Sequence, residues 1–358
     1  MKKAIAVLVV VALTGCNIAR RERVSREPSF SETEIAQDLP DPVRIVSIPD
    51  EEYLIEDMLA GEKQGMEDAA GFAEPVKGEG KETPDEGKKE EEPVSGKKTG
   101  DAQGKEDLSE FSAWTGECLV YQIKWNFMCV GKGLLACQKE KTKYGEVYHM
   151  TAITVPEGAF AAWGYGYYRT DSYVDPETLR PHYSYTYMRN GKSKKIIEAI
   201  FDSGKNEFRW EEKKYREDTL KSTKSGKISH DSPVYDSVTA FYLLRTFDFT
   251  EKTDFHIRVG IKEVWDLIVR KKGEKHEEIP ALGEKRVLVV EPEASSDEGL
   301  FTKGKMTLWL TADERKTPVF FEGKAPLGSG TLSLISRKKI PSDMALDSRT
   351  IAWILNAA

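Results

Sequence analysis

The side chains able to do chemistry are few: four cysteines and five histidines in 358 residues. His149, His182, His230, His256 and His276 are scattered with no metal-ligand spacing, so neither a metal nor another cofactor is expected. His230, Asp231 and Ser232 supply the residue types of an acyl-transfer triad in a row. A triad is a spatial constellation, however, and contiguity points instead to a capped turn. No Gly-x-Ser-x-Gly elbow, Cys–His motif or phosphate loop is present in the sequence. Asp236 and Arg245 read as a helix cap and a structural ion-pairing group rather than as acid and electrophile. The expectation is a protein that is not an enzyme.

Cys16 is the exception, because its surroundings prescribe a modification. Lys2 and Lys3 precede the apolar run 4–13, AIAVLVVVAL. That run is too short to cross about 30 Å of hydrocarbon as a helix, which takes roughly 20 residues. It reads as a signal peptide over residues 1–15. Leu13–Thr14–Gly15–Cys16 has the form of a lipobox, in which cleavage precedes the cysteine and its thiol takes a diacylglycerol. The mature chain is then anchored to the membrane surface by lipid rather than spanning it. Asn17 stands where a lipoprotein retained in the inner membrane would usually carry Asp. That resemblance implies a cell-envelope location at the outer membrane, facing the periplasm.

The other thiols, Cys118, Cys129 and Cys137, enter a compartment that permits disulfides. If Asn126–Cys129 is a four-residue turn between strands, Trp125 faces Val130 and Cys118 falls directly opposite Cys137. Opposed residues on antiparallel strands sit about 4.5–5.5 Å apart, within disulfide reach. A Cys118–Cys137 bridge with Cys129 left in the turn, and three reduced thiols, both remain open.

Aromatic side chains could bind rather than react. Residues 160–187 hold Phe160, Trp163, Tyr165, Tyr167, Tyr168, Tyr173, Tyr183, Tyr185 and Tyr187. Trp163, Tyr165, Tyr167, Tyr183, Tyr185 and Tyr187 are the candidate ligand-binding set. Turned inward around a cavity, they would suit a lipid or another apolar ligand. Laid out flat and exposed, they would suit a glycan such as peptidoglycan. A third reading is a protein-interaction scaffold whose docking segment is 49–60, where Tyr53, Leu54, Met58 and Leu59 could form one apolar helical face.

The elements that must position these residues fall into regions of opposite charge. Residues 17–110 carry 26 acidic against 13 basic side chains, with few large apolar groups. Such a stretch cannot offset the entropy of ordering, so 16–110 is expected to be a disordered acidic tether. As a coil it spans roughly 50–60 Å. From 111 onward the net charge is +4, too weak and too dispersed to argue for nucleic acid.

Period-2 alternation dominates that second region. Leu119, Tyr121, Ile123 and Trp125 share one strand face, as do Tyr183, Tyr185 and Tyr187, and Met306, Leu308 and Leu310. Further strand-like runs are 147–154, 195–202, 206–212, 255–259, 263–270, 285–291, 319–324 and 330–336. Two stretches repeat one hairpin phrase, Tyr173 to Tyr183 and Trp309 to Val319: aromatic strand end, acidic turn, proline opening the return. One internal helix follows Asp236, and a second is expected over 341–358. The fold class is mainly β: an antiparallel curved sheet or barrel over 111–340 with one internal helix, then a short C-terminal helix.

The run ECLVYQIKW…VGKGLL, the phrase YVDPETLRP, the helix DSVTAFYLLR and the block WLTADERKTPVFFEGKAPLGSGTLSL together resemble one group. It is the exported bacterial family known as domain of unknown function 3108, and the resemblance spans residues 117–337. It implies fold and location and brings no established activity. The aromatic–Asp–Pro–Glu phrase is also distantly similar to the hairpin of periplasmic lipoprotein carriers and related half-barrels.

Overall fold

Among the described residues, alternating side chains and polar turns make fourteen strands, and their backbone bonds unite them in a single sheet. The computed structural model describes residues 114–358 apart from 143, 163–164, 295–305, 326–327 and 342–343. Cys16, the expected tether 16–110 and its segment 49–60 lie outside the described residues. The first eight strands are β1 (Glu117–Trp125), β2 (Met128–Thr142), β3 (Gly145–Pro156), β4 (Tyr165–Val174), β5 (Pro181–Asn190), β6 (Ser193–Asp202), β7 (Glu207–Arg216) and β8 (Thr219–Ser229). The other six are β9 (Asp254–Gly260), β10 (Val264–Ile279), β11 (Gly283–Ala294), β12 (Met306–Thr311), β13 (Pro318–Ala325) and β14 (Gly328–Lys339). Helices are α1 (Gly158–Ala162), α2 (Ser237–Leu244) and α3 (Ser348–Asn356).

The spatial order is β8-β7-β6-β5-β4-β3-β2-β1-β14-β13-β12-β11-β10-β9. Every neighbouring pair is consecutive in the chain except β1–β14, where Trp125 meets Gly330. The two edge strands, β8 and β9, are consecutive too, and α2 lies in the connection between them. Because α2 touches β3, β4 and β9, which stand far apart along the sheet, the sheet must curl around the helix. It does not close. Instead the strand after β8 lends a single bridge, with Tyr235 N donating to Arg258 O and Gly260 N to Tyr235 O, both at 2.9 Å. That contact partly covers the β9 edge, whereas β8 pairs only with β7.

The repeated hairpin phrase is one device used twice. Asp175 accepts from the backbone N–H of Glu177 (3.0 Å) and Thr178 (2.7 Å), and Pro181 opens β5. Asp313 accepts from Arg315 N at 3.2 Å, and Pro318 opens β13. Each turn passes through a non-glycine residue in the left-handed region, Leu179 in the first and Lys316 in the second.

The concave side holds a continuous apolar cluster. Leu119, Tyr121, Ile123 and Trp125 of β1 pack there with α2, with Val287 and Val290 of β11, and with Leu332 and Leu334 of β14. On the convex side, the strands from β1 to β6 carry a second cluster, roofed by Leu346 and by Ile351, Ile354 and Leu355 of α3. Asp347 caps α3, accepting from Thr350 N at 2.8 Å, so the C-terminal helix occupies 348–356 rather than the whole of 341–358. Two of the residues before the cap are tied down: Gln138 Nε2 donates to Pro341 O at 2.8 Å and to Met344 O at 3.2 Å. No helix among the described residues is long and apolar enough to cross a membrane.

Candidate functional site

The candidate aromatic row faces the convex side. Tyr183 and Tyr187 are fully buried and Tyr185 keeps 8% of its surface. They share a cluster with Ile196 and Ile200 of β6 and with the C-terminal roof. Tyr167 packs edge-on to Tyr187, ring centroids 5.8 Å apart, and the Tyr183 hydroxyl donates to Glu198 Oε1 at 2.8 Å. Trp163 lies outside the described residues, and so does the side chain of Tyr165, whose backbone opens β4. The tyrosine row therefore forms neither an exposed platform for sugars nor a lining of the concave side. Alternation predicts that the three share a face; it does not say which face, or that a distant helix will cover it.

Beside that row the structure assembles a charged cluster that the sequence reading left as a scattered histidine. His149 of β3 places Nε2 2.8 Å from Asp171 Oδ1 and Nδ1 2.7 Å from Glu140 Oε1. Arg169 grips Asp171 from the same strand, Nε to Oδ2 at 2.6 Å and Nη2 to Oδ1 at 3.0 Å. Its Nη2 also donates to Leu346 O at 3.2 Å, which fastens the C-terminal segment to the sheet. The Tyr173 ring stacks on the imidazole at 4.6 Å.

Burial alone would lower the His149 pKa, but hydrogen bonds to Asp171 and Glu140 outweigh it and raise it to about 9. Burial would raise that of Asp171; the Arg169 charge and the His149 bond hold it well below the usual carboxylate range. Thr151 stands 3.1 Å from His149 Nε2, so hydroxyl, imidazole and carboxylate meet as they do in a hydrolase. The imidazole is cationic at neutral pH and cannot take the hydroxyl proton. Thr151 donates to Asp171 at 2.8 Å instead, and Thr151, His149, Arg169 and Asp171 are all buried. It is an anchor for the roof. The only signal in the sequence is an Arg–x–Asp pair on one face of an otherwise aromatic strand.

The second buried ionic group secures α2. Asp236 caps its N-terminus and accepts from Val238 N (2.9 Å), Thr239 N (3.1 Å), Thr239 Oγ1 (2.6 Å) and Ser172 Oγ (2.6 Å). At the other end Arg245 Nη1 donates to Glu117 Oε2 at 2.6 Å, with both side chains almost wholly buried. Arg337 approaches the other Glu117 oxygen at 3.2 Å, and the Arg245 guanidinium lies 4.8 Å over the Trp114 ring. Cap and ion-pairing group are the roles read from sequence for Asp236 and Arg245. His230, Asp231 and Ser232 do not converge: His230 Nδ1 meets the Ser232 carbonyl, while Asp231 pairs with Arg258.

The proposed Cys118–Cys137 opposition fails by one residue. The β1–β2 turn has two residues, Trp125 pairing with Met128, and a bulge at Val130 shifts the register so that Cys118 faces Ala136. A slip of one residue reverses a side chain's face. Cys118 lies in the convex cluster, Cys137 in the concave one, and both thiols are free and buried. Burial lifts the Cys118 thiol to about 12, and that of Cys137 also rises. Cys129 is exposed. Of these three thiols, only Cys129 should react quickly with a bulky thiol reagent in the native protein, and the other two only after unfolding. Retention of two unreactive sulfurs after unfolding without reductant would show a Cys118–Cys137 bridge.

Fourteen antiparallel strands rolled around a crossover helix, and left unclosed, define a barrel-like open sheet of the mainly-β class. The chain belongs to the family described as protein of unknown function (DUF3108), which it matches over residues 120–335. No curated protein matches it. Among solved structures it is similar to the beta-barrel-like protein of domain of unknown function DUF1849 from Brucella abortus. The two are 7% identical, with a TM-score of 0.37, over 63% of this chain and 98% of that one. That likeness is too slight to carry any structural detail or function across.

Proposed function

We propose that this chain is a non-enzymatic cell-envelope lipoprotein, cleaved before Cys16, lipid-anchored at the outer membrane and facing the periplasm, whose folded domain works as a scaffold for contacts. The observation that carries the scaffold reading is the occupancy of the concave side. Helix α2 lies where a half-barrel carrier would hold an apolar ligand, fastened at one end by Asp236 and at the other by the Arg245–Glu117 pair. The convex side of β1–β6 is likewise covered by the C-terminal segment. What the domain offers a partner is its rim and its edges. β8 is an exposed polar edge strand with Lys221, Lys224 and Lys227, which discourage indiscriminate strand pairing. The charged state of the buried His149 supports the non-enzymatic reading.

An apolar ligand in the curved sheet is the second reading, supported by the density of tyrosines, and it requires α2 to leave its place. Native mass spectrometry of protein purified from its own envelope separates the two. The scaffold predicts a mass accounted for by the mature chain and its covalent acyl groups, and no saturable uptake of a fluorescent fatty acid. A bound lipid at one equivalent would replace it with the carrier. Anchoring has its own test: fatty-acid labelling should vanish in Cys16→Ser, and unchanged labelling would refute the lipoprotein assignment.

A further inference from the structure

The most exposed large apolar side chain among the described residues is Phe127, at 87%, and its chain neighbour Met128 is exposed as well, at 43%. Both stand at the tip of the β1–β2 hairpin, which is braced rather than frayed. Asn126 N donates to Ser329 O at 2.7 Å, Ser329 N donates to Asn126 Oδ1 at 2.9 Å, and Asn126 takes a left-handed φ of 53°. The adjoining β13–β14 hairpin therefore holds Phe127 out in solvent. Helix α1 lies beside this tip, with Glu157 N donating to Val130 O at 3.0 Å. It is GAFAA, without a charged residue, and its Gly158 and Ala159 are exposed. Exposed Lys124 and Lys324 stand on the strands entering the two hairpins.

We propose that this end of the sheet is a membrane-contact rim, with Phe127 and Met128 entering the headgroup boundary of a phospholipid surface. A single side chain projecting from a fixed turn needs no complementary pocket in a fluid bilayer, whereas a protein partner would have to supply one. The flanking lysines complement anionic headgroups. The attachment of the tether also fits. β1 begins at Glu117, so the chain enters at the end of that strand remote from the turn, about 30 Å away at ~3.3 Å per residue. The tether expected from the sequence, if it behaves as a coil of roughly 50–60 Å, is long enough to fold back over that distance. The rim then meets the surface in which the Cys16 lipid is set, holding the domain upright on its tether. This step rests on the proposed anchoring.

The test uses the mature chain beginning at position 16 and carrying Cys16→Ser, so that no acyl group contributes. Flotation with vesicles of phosphatidylethanolamine and phosphatidylglycerol should recover it. Phe127→Ser combined with Met128→Ser should weaken the partition coefficient about tenfold or more, with an unchanged melting temperature. Phe127→Trp should preserve binding. A non-acylated chain that does not float, or one that floats equally well with the double substitution, overturns the proposal. Loss of a co-purifying protein on substitution, with flotation unaltered, would overturn it in favour of a protein partner. Failure of acyl labelling at Cys16 would defeat the anchoring and leave flotation of the free chain intact, so the two failures are distinguishable.

Discussion

Glu117→Gln is expected to destabilise the folded domain by about 3–5 kcal/mol, because it leaves the Arg245 guanidinium buried without its counter-charge. For a domain of this size about 2–4 °C is lost per kcal/mol, so the melting temperature should fall by roughly 6–20 °C. The reason is positional as much as electrostatic. Glu117 opens β1, Arg245 ends α2, and their pair ties the crossover helix to the strand that meets both halves of the sheet. Replacing both partners by methionine should recover part of the loss, since no fully buried charge is then left alone and Arg337, which also loses Glu117, is partly exposed. Lys192→Met, which breaks a solvent-exposed pair with Glu217, should change stability by well under ~1 kcal/mol. An unfolding curve for Glu117→Gln that overlays the wild type would mean that water, not Glu117, compensates Arg245.

The His149 cluster should write itself into the pH dependence of stability. Its folded-state pKa, about 9, lies above the unfolded value of 6.5, so its contribution is complete below about pH 6.5. That contribution disappears as pH rises through about 9. At ~1.4 kcal/mol per pKa unit it reaches about 3 kcal/mol. Asp171 acts in the opposite sense: its depressed pKa stabilises the fold above the ordinary carboxylate range, and that share is lost as pH falls through the folded value. His149→Gln should flatten the alkaline limb of a melting-temperature profile, leaving only what lysines and tyrosines contribute. Asp171→Asn should cost more than His149→Gln, because it removes the one carboxylate that two buried cations, Arg169 and His149, share. An alkaline limb that survives unchanged in His149→Gln would remove this histidine from the account.

How legible these features were depended on whether each was local. Strands with apolar alternation, the Asp236 cap and both Asp–Pro hairpins could be read off because their determinants lie within a few residues. β8 escaped because an edge strand of Lys, Ser and Thr buries little and shows no apolar period. α1 escaped because five residues carry too few apolar positions to set a period. The cysteine pairing failed because the turn has two residues rather than four, and the bulge at Val130 restores only one of the two register steps so lost. The tyrosines were placed correctly on one face, but what covers that face arrives from residues 340–355, far along the chain. The His149 cluster joins four residues of β2, β3 and β4, and only the sheet register brings them together.

The β1–β14 pairing has a consequence for the order in which this protein can come into being. All other neighbours in the sheet are consecutive strands that can zip together as hairpins, yet β1 has one flank without a partner until β14 has been made. The inner cluster draws on both strands, so its burial waits for nearly the last residues of the domain. Ribosomal synthesis of the first half thus yields a ladder of hairpins with an open apolar flank, a topology of high contact order that folds slowly. Such a chain stays threadable. Under the proposed export through a membrane channel, late closure would keep the polypeptide threadable until its final strand is on the far side.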